Sequence, residues 1–404
     1  MNQMAERMTR LGSESAMEVL GRAEALKAAG RPIINLGVGA PDFRTPPHIV
    51  DAGRQALADG WHGYTPAKGI ADLREAVVWD IHNRQGVEAN PDRVVIVPGG
   101  KPTMFFAMLM LGEPGVEILY PDPGFPIYRS MVEFSGATPV PFRLEEDKGF
   151  SFDPERVLSL INERTRLLIL NSPANPTGGV VNREDLDALV AGLAEFPDLY
   201  VMSDEIYSRI VFKGIEHASL LEYESIRDRL IVLNGWSKTW AMTGWRLGWG
   251  LWPDSLIDGA ERLQINANSC ANAAVQIAAI EALRGPQEDV ATMVDAFENR
   301  SSYISGALSD LRGISCQTPR GAFYAFPNIK GTGLGSNEMQ NRLLDECDLA
   351  VVSGTSFGER GEGHIRLSCA ASLEELEEAV DRIKGFLHTL PTDLSERKSQ
   401  GEYV

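Results

Sequence analysis

Between residues 94 and 251 the chain alternates short apolar runs with longer stretches of helical spacing. Val94-Val95-Ile96-Val97, Leu167-Leu168-Ile169-Leu170 and Leu230-Ile231-Val232-Leu233 are apolar at every position. Neither face of such a run can meet water, so each reads as a strand buried on both sides. Further strands are predicted at 117–120, 138–141, 200–203 and near Gly248. Apolar positions at helical spacing fall at 46–59, 70–84, 102–111, 183–195, 254–266 and 272–284. Strands alternating with helices build a mainly parallel sheet covered on both faces. The pattern therefore predicts an α/β fold around a seven-stranded sheet, and such sheets bind ligands at the carboxyl ends of their strands.

A break follows at Gly285-Pro286. Beyond it the pattern predicts a long helix at 287–309, strands near 321–326, 350–353 and 364–368, and an acidic amphipathic helix at 372–387. At the other end a helix at 14–30 stops at Gly30 and a short strand follows at 33–36. This suits a large domain, 46–289, and a smaller α+β domain assembled from 1–45 and 290–390. The polar residues 391–404 read as a disordered tail.

Composition narrows the function classes. With 44% hydrophobic and 23% charged residues in 404, the chain has ample apolar material for a core. A net charge of −18 argues against nucleic acid and anionic membranes as partners. Cys270, Cys316, Cys347 and Cys369 show no paired spacing, and the six histidines are dispersed, so neither a disulfide framework nor a metal site is expected. The amino-terminal residues lack the apolar segment of a signal peptide, and the longest apolar stretch, 104–111, is too short to span a bilayer. The expected setting is cytoplasmic.

Four stretches carry chemistry. Lys238 stands in the turn after the strand 230–233, flanked by Ser237 and Thr239, with Arg246 close behind. A lysine so placed suits an amine that forms a Schiff base near a bound phosphate; only the neutral amine attacks a carbonyl, so such a site must lower its pKa. The competing reading is a solvated loop lysine. Asp204 ends the strand 200–203 and is followed by Glu205-Ile206-Tyr207. A half-buried acid there needs a cation, such as a protonated pyridine nitrogen, unless it merely caps a helix. In Asn171-Ser172-Pro173-Ala174-Asn175-Pro176-Thr177-Gly178 the two prolines stiffen the loop and fix Asn175, which could bond a phenolate oxygen and a substrate carboxylate; a plain structural turn is the alternative. Pro98-Gly99-Gly100-Lys101-Pro102-Thr103 joins a strand to a helix, a natural anion site, without the spacing of a nucleotide P-loop. Gly37 and Gly39 form a GxG that lacks its third glycine, so it is a poor dinucleotide fingerprint but a suitable place for bare backbone to approach a ligand.

Taken together, Ser203-Asp204-Glu205-Ile206-Tyr207, Asn175-Pro176-Thr177-Gly178, and Ser237-Lys238 through Met242-Thr243-Gly244-Trp245-Arg246 resemble the pyridoxal-phosphate-dependent aminotransferases of fold type I. The likeness, to the class I/II branch typified by aspartate aminotransferase, runs from about residue 14 to 387. It implies that Lys238 holds the cofactor as a Schiff base and then moves the substrate proton. Asp204 would pair with the pyridinium nitrogen, and Asn175 and Tyr207 would bond the 3′-oxygen. Gly100, Lys101, Ser237 and Arg246 would bind the phosphate, with Phe125 stacked on the ring. Arg366 would grip the substrate α-carboxylate in a bidentate fork, with Gly39 adding a backbone contact. Tyr64 matches a tyrosine that reaches the phosphate of the neighbouring subunit, which implies a homodimer with shared active sites. One departure is Gly235, where many relatives carry a phosphate-binding hydroxyl.

The resemblance implies transfer of an amino group from an L-amino acid to a 2-oxo acid in a ping-pong cycle. Lys101 stands where some relatives meet the distal carboxylate of aspartate or glutamate; pairing with a local acid such as Glu113, or facing solvent, is the competing reading. Other enzymes on the same scaffold, a carbon–sulfur β-lyase or an aminocyclopropane-carboxylate synthase, would show nearly the same motifs. A non-enzymatic sensor domain would need a fused DNA-binding module, and no basic helix-turn-helix segment precedes residue 46.

Overall fold

The structure is a computed structural model that describes residues 4–12 and 15–391. The tail expected to be disordered lies, from residue 392 on, outside the described residues.

In chain order the strands are β1 (Ile34–Asn35), β2 (Val94–Val97), β3 (Glu117–Asp122), β4 (Thr138–Glu145), β5 (Ser151–Phe152), β6 (Thr165–Asn171), β7 (Tyr200–Asp204), β8 (Leu230–Gly235), β9 (Gly248–Leu251), β10 (Tyr324–Ala325), β11 (Leu349–Ala350), β12 (Val352–Ser353) and β13 (Ile365–Ser368). The large sheet runs β2-β9-β8-β7-β6-β3-β4-β5. Its central pairs, β4 with β3, β3 with β6, β6 with β7 and β7 with β8, are all parallel. β9 is antiparallel to both β8 and β2, so β2 runs with the majority. The carboxyl ends of β2, β3, β6, β7 and β8 thus share one edge.

Seven strands are expected and eight are present. The extra one, β5, is a two-residue strand antiparallel to β4, and two residues cannot display a period. The uniformly apolar runs behave as their pattern dictates: β2 and β8 are buried along nearly their whole length because helices cover both faces. Strand β4 lies near the sheet edge and alternates between buried and exposed positions. Among the described residues three α-helices escape the sequence pattern, Ile127–Ser135, Pro154–Ser159 and Ser336–Cys347. The first is only nine residues long and ends at Gly136, whose φ of 93° terminates it.

Two smaller sheets, β1-β11 and β10-β13-β12, pack with the helices Glu288–Ser309, Ser336–Cys347 and Leu373–Thr389. They share a separate core that includes Leu36, Phe297, Phe323, Leu343 and Ile383. The last of these helices opens with a reciprocal cap between Ser372 and Glu375. The earliest described residues reach across to the large sheet's side. The segment before residue 13 lies against the large sheet's helix Ile127–Ser135: the Gly12 N–H donates to Ser130 Oγ at 2.9 Å and Arg10 Nε to the Glu133 carbonyl at 3.0 Å. A short polar segment carries no pattern that names its partner.

Three glycines bring backbones together at the shared edge. Gly235 of β8 faces Gly248 of β9. A Cβ on Gly248 would stand 2.7 Å from the Gly100 nitrogen, and one on Gly235 would stand 2.9 Å from the Gly248 Cα. Strand end, neighbouring strand and the 98–100 loop therefore pack with no side chain between them. This accounts for Gly235: a hydroxyl-bearing residue there would collide with Gly248.

Candidate active site

A cavity of about 440 Å³ opens at this edge. That is within the ordinary range for a small-molecule site. Every candidate catalytic, cofactor-binding or substrate-binding residue named from the sequence lines it except Tyr64, which is 92% exposed.

Asp204 ends β7 and is 2% exposed. Its Oδ2 accepts from the Tyr128 hydroxyl at 2.7 Å and its Oδ1 from the Ile206 N–H at 3.2 Å. A turn follows, not a helix, so the capping alternative survives only as that one bond. Burial pushes the Asp204 carboxyl up to about 6, against the pull of the Tyr128 and Ile206 bonds. Burial, with Asp204 adjoining, likewise holds the Tyr128 phenol well above its usual value, so it is a donor throughout the working range. Next to Asp204, Glu205 takes hydrogen bonds from Ser203, Ser219 and the Leu220 N–H. Burial opposes its charge, yet His217, Ser219 and Ser203 together hold its pKa below the usual range. This anchors the loop after β7.

Asn171, at the end of β6, ties the neighbouring loop down. Its amide donates to the Asp204 carbonyl at 3.0 Å while its Oδ1 accepts from the Asn175 N–H at 3.0 Å. Asn175 Oδ1 in turn accepts from Arg366 Nη1 at 2.9 Å. Arg366, on β13 and 3% exposed, gives its Nη2 to the Gly37 carbonyl at 2.6 Å. The GxG turn thus meets the arginine through bare backbone.

Lys238 is half-buried in the turn after β8, and its Nζ donates to the Gly39 carbonyl at 2.5 Å. Tyr207 and Phe323 each present a ring 5.9 Å from the ammonium. The Tyr207 hydroxyl lies 2.7 Å from that of Tyr324. At the far end Gly100 and Lys101 open the helix Lys101–Leu111, where backbone N–H groups lack intrahelical partners. Arg246 lies over Gly99, where any Cβ would strike its guanidinium, and it donates to the Thr243 carbonyl at 2.9 Å. Ser237 is buried beside it. Lys101 is exposed at the cavity, its Nζ 5.6 Å from the Phe125 ring centre. Glu113, considered as its partner, instead lies 3.9 Å from Arg166.

Tyr128, Tyr324 and Asn171 escape the sequence reading. Tyr128 sits three residues after Phe125 on the helix Ile127–Ser135, which is too short to show its inward spacing in the sequence. Asn171 stands in a loop whose local pattern assigns it no role, and Tyr324 gives no signal beyond an aromatic in a short strand.

The donor set fits a phosphorylated pyridine aldehyde. A cationic, N–H-rich end suits the phosphate, a buried acid suits a protonated ring nitrogen, and an amine lies between them. Gly99 clears the phosphate end of any side chain. Among the described residues no group of three or more His, Cys, Asp or Glu is arranged to hold a metal, and no helix is long and apolar enough to cross a membrane.

Comparison with known proteins agrees with this geometry. The family model described as aminotransferase class I and II matches residues 31–383. The aspartate aminotransferase of Pyrococcus horikoshii is 37% identical over 388 residues, covering 95% of this chain and 97% of that protein. The aspartate/prephenate aminotransferase of Nitrosomonas europaea is 34% identical over 396 residues, covering 95% and 99%. The crystal structure of the aspartate aminotransferase from Rhizobium meliloti superimposes with a TM-score of 0.92 at 31% identity, covering 96% of this chain and all of that one. The chain belongs to the class I and II aminotransferases, enzymes that use pyridoxal phosphate to exchange an amino group between an amino acid and a 2-oxo acid.

Proposed function

We propose that the chain transaminates dicarboxylic amino acids, glutamate or aspartate, with 2-oxoglutarate as acceptor. The observation that carries this reading is a single cavity that gathers Lys238, the buried Asp204 and Arg366, with Lys101 beside Phe125 at its exposed side. The names borne by relatives such as the Pyrococcus horikoshii aspartate aminotransferase support the same substrate class.

Pyridoxal phosphate, when bound, supplies a carbonyl for the amine and a ring that accepts the charge left by the departing α-proton. The chain's own residues do the rest. Lys238 would hold the cofactor and, when free, would take the proton from the substrate α-carbon. Asp204, fixed by Tyr128, would keep the ring nitrogen protonated. Tyr207 and Asn175 would bond the ring's phenolic oxygen, and Phe125 would cover the ring face. The N–H groups of Gly100 and Lys101, with Ser237 and Arg246, would hold the phosphate. Arg366 offers a planar fork to the α-carboxylate, and the Asn175 and Gly37 bonds hold that fork in place.

The groups that hold the cofactor come from 46–289, and Gly39, Tyr324 and Arg366 come from 1–45 and 290–390. We take these as the two domains, with the substrate bound between them. We also propose a homodimer in which Tyr64 serves the cavity of a second copy. Its 92% exposure and the exposed Leu57 and Trp61 beside it support this. The scattered free cysteines support a cytoplasmic setting.

Borohydride reduction of the cofactor-loaded protein, followed by peptide mapping, is expected to label Lys238 alone; a label on another lysine would refute the assignment. Lys101→Ala is expected to lower kcat/KM for glutamate and aspartate by about ten- to a hundredfold, the range for losing a charged hydrogen bond, and to leave alanine nearly unchanged. An equal loss for both classes would move Lys101 from substrate choice to the cofactor. Sedimentation is expected to show a dimer across the concentrations at which the enzyme works, and a fully active monomer would contradict the shared site.

A further inference from the structure

We propose that Tyr324 is a positioning residue that sets the direction of the Tyr207 proton and braces the Arg366 guanidinium, so that one side chain prepares both the cofactor contact and the carboxylate clamp. The proposal rests on the roles given above to Tyr207 and Arg366.

Tyr324 is 1% exposed and Tyr207 is 3% exposed. Their hydroxyl oxygens stand 2.7 Å apart, an ordinary O–H···O hydrogen bond. Burial holds the Tyr207 phenol well above its usual value, so it keeps its proton. Each phenol has one proton to give and lone pairs to receive. The bond between them therefore has two possible directions. If Tyr207 donates to Tyr324, it has nothing left for an oxygen in the cavity. If Tyr324 donates, the Tyr207 proton is available to an anionic oxygen, and the received bond polarises Tyr207 into a better donor. An anionic phenolic oxygen facing Tyr207 selects the second direction.

The ring of the same tyrosine serves the clamp. Its centre lies 4.6 Å from the Arg366 guanidinium carbon, and the Phe357 ring lies 4.8 Å from it. Asn175 and Gly37 fix the two terminal nitrogens, while the rings fix the plane of the fork. The hydroxyl also dictates a neighbour. A Cβ on Gly39 would stand 2.5 Å from the Tyr324 oxygen, so the residue whose carbonyl receives Lys238 must have no side chain.

The two functions separate by substitution. Tyr324→Phe removes the hydroxyl and keeps the ring, and Tyr324→Leu removes both. The first readout is the pH midpoint of the bound cofactor's visible absorbance, which reports the proton on the lysine–cofactor linkage. A hydrogen bond donated to the phenolic oxygen lowers that midpoint. Tyr207→Phe should therefore raise it by about one to two units. Tyr324→Phe should raise it by a few tenths of a unit, roughly the cooperative share of one bond. The second readout is the Kd of succinate, an unreactive dicarboxylate. Tyr324→Phe should leave it within about twofold, whereas Tyr324→Leu should weaken it by roughly five- to thirtyfold.

An unchanged or lowered midpoint in Tyr324→Phe, alongside a raised one in Tyr207→Phe, would overturn the proton direction and with it the proposal. Succinate binding by Tyr324→Leu at wild-type strength would overturn the bracing role. An unshifted midpoint in Tyr207→Phe would refute the reading of Tyr207 itself, independently of Tyr324.

Discussion

A carboxyl group buried at the end of a strand is costly while charged, and Asp204 is such a group. It is buried among apolar strands, and the bonds it receives from Tyr128 and Ile206 come from neutral donors. Those bonds orient the carboxyl but do not neutralise it, and its pKa stays raised to about 6. The protein thus carries a stored demand for a cation at one fixed point in its cavity. A protonated pyridine nitrogen would meet that demand, and Lys238, Tyr207, Asn175 and Arg366 line the same cavity.

The fold delivers those neighbours without long loops. Parallel strands end at a common edge, so Asn171, Asp204 and the Lys238 turn arrive side by side from β6, β7 and β8. The small antiparallel strand β9 then brings Gly248 against Gly235 and the 98–100 loop. Close backbone packing at that point places the helix Lys101–Leu111 and Arg246 at the phosphate end. From the opposite side, the Gly37–Gly39 turn and β13 supply the carbonyls and the arginine that face the substrate. On the proposed reading, phosphate, ring and carboxylate would each be met by a different part of the scaffold.

Much of this is legible in the sequence because it is written in local patterns. Apolar runs mark the buried strands, and Lys238, Asp204 and Asn175 stand shortly after three of them. The cavity gathers these residues together with Arg366, which comes from far along the chain. What escapes is whatever depends on contacts between distant segments. Tyr128 acquires its meaning only when its helix lies beside β7, and Tyr324 only when β10 crosses Tyr207. The glycine at 235 looked like a missing phosphate ligand. It is a packing requirement set by Gly248, which no local reading of residue 235 could show. Likewise the segment before residue 13 bonds to Ser130 and Glu133 through backbone and polar atoms, which leave no periodic trace.

The buried charge at Asp204 can be read directly from stability against pH. Its folded pKa of about 6 lies above the 3.8 usual for an exposed aspartate. The stabilising contribution of the protonated carboxyl is therefore fully present below about pH 4 and is lost as pH rises through about 6. In the cofactor-free protein, Asp204→Asn should be more stable than wild type at pH 7.5 by roughly 2–3 kcal/mol, from about two pKa units, with the advantage vanishing toward pH 4. Saturating pyridoxal phosphate should reverse the order at pH 7.5, because only the carboxylate gains a cation. A pH-independent difference in the cofactor-free proteins, or a variant stabilised by the cofactor as strongly as wild type, would contradict the account.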